Sequence, residues 1–180
     1  TVHAYEKAGA AGIQIEDQQV PKICGHIPGR EVVSRDEAVA KITEAVAARQ
    51  DDDFLIVART DAREQNGLDE AIERGHLFAA AGADILFIES PESEDEFRQI
   101  GAALGDMPLL ANMVEGGRSP LLSREKLVEM GFSFIIYPVA AMAASAAALN
   151  AAYQHLLEGE PDGARVGFQE LNRMVGFLEK

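Results

Sequence analysis

The sequence predicts an α/β fold, a (β/α)8 barrel of which roughly the first three β-α units would precede Thr1. Three observations lead there. Short apolar runs alternate with helical patterns, glycines recur at the helix-to-strand joints, and four of the runs end in polar side chains. Strand, helix, strand repeated in this way allows a doubly wound sheet or a barrel. Polar strand ends favour the barrel, which gathers the C-terminal ends of its strands around one mouth and keeps its chemistry there.

TVHAYEKAGAAG reads as the tail of a helix leading into the first run, GIQIED (12–17). FLIVARTD (54–61), ADILFIES (83–90), PLLANM (108–113) and FSFIIYP (132–138) follow, each apolar enough for a strand buried on both faces of a parallel sheet. Ser34 with Glu37 and Ser93 with Glu96 have the spacing of capping boxes, so a helix should start after each serine. Behind them Val39, Ile42 and Val46, then Phe97, Ile100 and Leu104, recur at helical spacing and mark the faces that pack on the sheet. Gly9, Gly82 and Gly131 stand where a left-handed cap would end a helix before the next strand. No Pro/Ser-rich linker breaks the pattern, and residues 1–180 read as one barrel domain with C-terminal helices.

Net charge is −14, from 30 acids against 16 Lys and Arg, so a nucleic-acid backbone would be repelled. A single cysteine makes neither an internal disulfide nor a multi-cysteine metal site, and suits a reducing, cytoplasmic compartment. Residues 132–153 carry no charge and approach the length of a membrane span. Pro138 divides them into a β-rich half and an alanine-rich half with Ser145 and Asn150, which fits a buried strand followed by a tightly packed helix and no membrane contact.

The candidate chemistry lies at the strand ends and in one loop. At least one carboxylate of Glu16 and Asp17 should face the mouth, where it could hold Mg²⁺ directly or through water; the alternative is a capping or salt-bridging pair. Arg59 is a planar fork suited to a substrate carboxylate, or else pairs structurally with Asp61 or Glu89. Glu89 and Asn112 need buried partners, as substrate contacts or as a polar network closing the barrel. Cys24 sits among Pro21, Lys22, Gly25, His26 and Pro28, a loop composition that keeps it out of the core, and cations beside a thiol favour proton exchange near neutrality. Gly25 and His26 could offer backbone N–H groups to an anion, and Gly116 with Gly117 could form a phosphate cradle. His3, His76 and His155 fall inside helical patterns as surface or packing residues.

AGAAGIQIEDQ, KICGH, ARTDA, FIES and NMVEGG, in this order over residues 1–160, resemble the isocitrate lyase and phosphoenolpyruvate mutase superfamily. FIES and NMVEGG look like its dimethylmalate lyase and carboxyvinyl-carboxyphosphonate phosphorylmutase group. The resemblance implies a (β/α)8 barrel with its last helix swapped between subunits of a homodimer or homotetramer, a small carboxylate substrate, and Mg²⁺, with Mn²⁺ as an alternative. It assigns Glu16 to the metal's water shell, Cys24 to general acid/base chemistry on a gating loop, and Gly25, His26 and Arg59 to substrate carboxylates. Glu89 and Asn112 match further substrate-site positions, and the metal-binding Asp pair of the family would lie upstream of Thr1.

Ile23, Val114 and Ala143 replace a basic, a hydroxyl-bearing and an Arg residue of the lyases that take tricarboxylates. An extra carboxylate would then be left unpaired. The resemblance therefore implies a Mg²⁺-dependent carbon–carbon lyase for a substituted 2-hydroxy dicarboxylate, alkylmalate or methylisocitrate-like, releasing pyruvate and a carboxylic acid. Its rivals are a phosphorylmutase or oxaloacetate decarboxylase on the same scaffold, and an inactive incomplete barrel.

Overall fold

The structure, a computed structural model, describes residues 1–159 and 165–177. It divides into two compact units, Thr1–Pro138 and Val139–Lys180. In the first, α1 (Val2–Lys7) leads to β1 (Gly12–Glu16), α2 (Arg35–Ala48), β2 (Leu55–Thr60), the short α3 (Arg63–Asn66), α4 (Leu68–Ala80), β3 (Ile85–Ile88), α5 (Glu94–Leu104), β4 (Leu109–Asn112), α6 (Arg124–Glu129) and β5 (Phe132–Ile136). All five apolar runs are strands.

The strands form one parallel sheet in the order β1-β2-β3-β4-β5. A doubly wound sheet reverses its order at a switch point. Here each strand lies beside its sequence neighbour, which is the winding of a barrel wall.

Alternation along the strands sorts the side chains onto two faces. Ile56 and Ala58 share a core with Ile42 of α2, Phe78 of α4, Phe97 and Ile100 of α5 and Leu127 of α6, while Phe97 meets Phe132 edge-to-face at 5.4 Å. Leu55 and Val57 pack on the other face against Ile85, Phe87 and Leu110. Burial on both faces holds for β3, but β1 and β5 are only partly buried, with Phe134 43% and Ile136 37% exposed. Each is an edge of the described sheet and has a neighbour on one side.

Helix boundaries follow local chemistry. Ser34, Ser93 and Ser123 accept from the amides of Glu37, Glu96 and Lys126 at 3.2, 3.1 and 3.3 Å, caps that each contribute about 1 kcal/mol. The reciprocal arm expected of a capping box is absent at α5, because the Glu96 carboxylate accepts from Arg63 and from the Glu92 amide instead. Gly9, Gly82 and Gly131 have φ of 82°, 94° and 93°, the left-handed caps their positions call for.

The second unit contains α7 (Ala140–Leu157) and α8 (Phe168–Met174), neither with a buried residue. The end of the FQELNRMVGFLEK run, 178–180, lies outside the described residues. Among the described residues no helix is long and apolar enough to cross a membrane.

Candidate active site

The parity of the inner face builds the site. Leu55, Val57 and Arg59 alternate along β2, Ile85 and Phe87 along β3 with Glu89 next in phase, and Leu110 and Asn112 along β4. Register places Arg59 opposite Glu16 on one side and Phe87 on the other. Glu16, Arg59, Glu89 and Asn112 thus end neighbouring strands in one layer.

Arg59 is its centre. Nε and Nη2 donate to the two Asp61 oxygens at 2.9 and 2.8 Å, Nη2 lies 3.3 Å from Glu89 Oε2, and Nε lies 3.6 Å from Glu16 Oε2. The guanidinium stands 5.2 Å from the Phe87 ring centroid, a cation–π contact. Burial works against its charge, yet Asp61, Glu89 and Glu16 more than offset this and hold its pKa above the ordinary value.

Fully buried Glu89 also lies 3.3 Å from His26 Nε2 and accepts from Asn112 Nδ2 at 3.3 Å. Burial above all, with Arg30, Arg59 and Arg118 adding and Glu89 opposing, lowers the His26 pKa, so the ring is neutral at pH 7. Its Nδ1 accepts from the Arg118 amide at 3.1 Å, so the ring proton belongs on Nε2, facing Glu89. Asn112 Nδ2, also 3.3 Å from Nε2, then meets another donor there and bonds to Glu89, leaving its buried Oδ1 without a partner.

The β1–α2 loop delivers Gly25 into this layer. A Cβ on Gly25 would lie 2.5 Å from Arg59 Nη2 and 2.8 Å from the Glu89 carboxyl carbon, so only glycine fits. Ser90 donates through its hydroxyl to the Gly25 carbonyl at 2.6 Å, from a φ of 57°. That conformation costs a non-glycine residue about 1–2 kcal/mol. Among the described residues no acceptor engages the Gly25 or His26 amide.

Cys24 is exposed, in a turn closed by the Ile27 amide on its carbonyl at 2.9 Å. The two flanking cations do not serve it as expected. Lys22 Nζ pairs with Glu16 at 3.1 Å, and neutral His26 is committed to Glu89 and Arg118. The Gly117 amide donates to the Val114 carbonyl at 3.0 Å and a Cβ there would lie 2.6 Å from His26 Nδ1, so the loop after β4 holds the imidazole. His3 and His76 are exposed on α1 and α4, and His155 lies on α7.

Asp17 turns away from Glu16 and braces the wall. It accepts from the Thr60 hydroxyl at 2.6 Å, the Asp61 amide at 2.9 Å and Arg74 at 3.0 Å, and burial raises its pKa despite these donors. Arg30, whose side chain is wholly buried, reaches Glu64 at 2.8 Å, Ser90 at 3.3 Å and Asp61 at 3.4 Å. Sequence reading missed Arg30, Glu64, Ser90 and Arg118, although the residue after a strand-ending acid was a place to look for Ser90.

Glu16 tests the implied metal. Its buried Oε1 faces only the exposed Lys22 ammonium, at 3.1 Å, an ion pair that a water on a cation could replace. That suits an oxygen accepting from water on a cation. Among the described residues no group of three His, Cys, Asp or Glu side chains could hold a metal ion directly. The fit is therefore to a contact through water.

The family model described as phosphoenolpyruvate phosphomutase matches residues 1–157. The 2,3-dimethylmalate lyase of Eubacterium barkeri is 48% identical over 184 residues, covering 100% of this chain and 63% of that protein. Oxaloacetate acetylhydrolase in complex with 3,3-difluorooxalacetate superposes with a TM-score of 0.92 at 36% identity, over 99% of this chain and 61% of that one. Phosphonopyruvate hydrolase, solved with oxalate and Mg²⁺, superposes with a TM-score of 0.82 at 29% identity, over 99% and 63%. The chain spans less than two thirds of the length of each of these proteins. With its strand order, its strand-end layer and these likenesses, it belongs to the phosphoenolpyruvate mutase family of the isocitrate lyase superfamily.

Proposed function

We propose that this chain forms the substrate-binding part of a carbon–carbon lyase that cleaves a substituted 2-hydroxy dicarboxylate, of the alkylmalate class, to pyruvate and a carboxylic acid. The observation that carries the reading is the layer itself, a buried guanidinium fork beside two unengaged backbone amides. Arg59 bonds to Asp61 through Nε and Nη2, which leaves its Nη1 edge for a substrate oxygen. The Gly25 and His26 amides supply neutral donors for the same carboxylate. Asn112 Oδ1, buried without a partner, is placed to accept from a hydroxyl.

Glu16 would hold a divalent cation, Mg²⁺ or alternatively Mn²⁺, through water. When bound, the cation supplies positive charge against the oxygens of the 2-hydroxy acid. A base takes the proton of the substrate hydroxyl, the freed oxygen pair forms the C2=O bond of the 2-oxo acid, the bond between C2 and C3 breaks, and its electron pair passes to C3 and its carboxylate as an enolate. Cys24 delivers a proton from its thiol to C3, balancing the one the hydroxyl lost. Arg59 and the loop amides stabilise the charge that builds on that carboxylate. An exposed thiol on the β1–α2 loop, next to the glycine packed against Arg59 and Glu89, supports this division of roles.

Likeness to oxaloacetate acetylhydrolase favours one second reading, hydrolytic cleavage of a 2-oxo dicarboxylate. Incubating the full-length protein and Mg²⁺ with a panel of 2- and 3-alkylmalates and oxaloacetate separates the two. Cleavage of an alkylmalate is expected, giving pyruvate where C2 carries a methyl group and glyoxylate where it carries hydrogen, whereas oxalate and acetate from oxaloacetate with no alkylmalate turnover would replace the first reading by the second. We also infer a homo-oligomer packed through α7, which presents no buried residue over its length.

A further inference from the structure

A belt of alternating charges runs round the rim beside the site. Arg63 joins Glu96 and Glu92, at 2.9 and 2.7 Å, Arg118 joins Glu92 and Glu64, at 2.6 and 2.9 Å, and Glu64 joins Arg30 at 2.8 Å. Glu64 is where the belt turns inward. Its Oε1 accepts from the Gly29 amide at 3.2 Å and from Arg118 Nη1, and its Oε2 from Arg30 Nε. Only 10% of the Glu64 side chain is exposed. Burial pushes its carboxyl up, but Gly29, Arg30 and Arg118 together hold it below the ordinary value, so it stays charged.

One carboxylate therefore ties two loops, and both touch His26. Gly29 and Arg30 follow His26 closely on the β1–α2 loop. Arg118 belongs to the β4–α6 loop, and its own amide donates to His26 Nδ1. The ring is held between two backbone segments that share a single anchor.

We propose that Glu64 is a positioning residue: by joining the β1–α2 and β4–α6 loops it fixes the ring orientation and tautomer of His26, and so the carboxylate end of the site. Its effect on turnover rests on the lyase reading above; its effect on His26 does not. Without the Glu64 charge Arg118 loses one of its two acceptors and Arg30 its closest, so the Arg118 amide drifts from Nδ1 and the imidazole no longer keeps a single donor toward Glu89.

The test is ring ¹⁵N NMR of His26 in the full-length protein at neutral pH, with kinetics on the alkylmalate that the panel identifies. Glu64→Gln should replace the wild-type pattern, one protonated and one accepting nitrogen, by averaged shifts, and should raise KM about tenfold with a smaller change in kcat. Glu64→Asp should restore part of both, and Arg118→Gln should reproduce the NMR change. Glu94→Gln, which removes an equal charge from exposed ion pairs with Arg98 and Lys126 at the start of α5, should match wild type. His26 signals in folded Glu64→Gln that superimpose on wild type, or an equal change in Glu94→Gln, overturn the proposal. Should Glu64→Gln not fold, wild-type signals in both Glu64→Asp and Arg118→Gln overturn it. Altered signals in a protein that cleaves no 2-hydroxy dicarboxylate would leave Glu64 in its role and remove the lyase reading.

Discussion

Cys24 and Gly25 are adjacent in the chain and opposite in circumstance. Gly25 is buried against Arg59 and Glu89 with its carbonyl fixed by Ser90, while the Cys24 side chain stands in solvent. The difference separates two tasks. Groups that bind charge are set in place before a ligand arrives, so little reorganisation is left to oppose the reaction. A group that carries a proton gains from freedom to approach the reacting carbon and withdraw. On the proposed lyase reading, structure at one residue and exposure at the next would let a single loop do both.

The largest expected effect breaks the comparison on the exposed side. Cys24→Ser should lower kcat for alkylmalate cleavage about 10³-fold, the scale of a lost general acid, with KM and melting temperature close to wild type because the residue is exposed. A fall in melting temperature equal to that of a core variant would show the thiol to be structural. Gly25→Ala breaks the buried side. Its methyl must displace Arg59 or Glu89, so KM should rise about tenfold and stability fall by about 1–3 kcal/mol, the usual cost of overpacking, measured by urea unfolding and initial rates. Opposite kcat and KM signatures in these neighbours are what the separation of tasks requires.

A smaller effect sharpens the comparison from behind the wall. The Glu70 carboxyl is lowered from 4.5 to about 2, chiefly by its hydrogen bond from Arg35, with Arg74 adding and burial opposing. Arg74 continues to Asp17, and Asp17 to Thr60 and the Asp61 amide, so the chain of contacts ends on the residue that grips Arg59. A carboxyl depressed on folding contributes stability that is fully present above its unfolded value, near 4.5, and is lost as pH falls through about 2. Glu70→Gln should cost about 1 kcal/mol at pH 7, after allowance for solvent screening of the pair. In unfolding curves the gap from wild type should narrow between pH 4.5 and 2. A gap independent of pH would mean that the loss is one of packing.

How much was legible follows from where each signal lives. Strand ends were readable because period-two alternation places Glu16, Arg59, Glu89 and Asn112 on one face without knowledge of any partner. Glycine caps and serine N-caps were readable because they act within a few residues of themselves. Arg30, Glu64 and Arg118 were not, since their partners lie 26 to 92 positions away along the chain and no local pattern marks them. Lys22 and His26 misled for a different reason. Proximity in sequence to Cys24 suggested service to the thiol, whereas the fold turns Lys22 back to Glu16 at the end of β1 and His26 to Glu89 just after β3.

The common parity of the strand ends also bears on how such a scaffold diversifies. Its charged layer is fastened to the sheet, whereas the segments that overlie it hang from turns. Grafting a differently shaped segment at 113–123 would change the seat of His26 while the socket beneath, the contacts of Arg59 with Asp61, Glu89 and Glu16, stays wired as before. Inserting one residue within β2 or β3 would do the reverse, rotating the socket's contacts out of the pore and into the helical shell, and no change of lid could repair it.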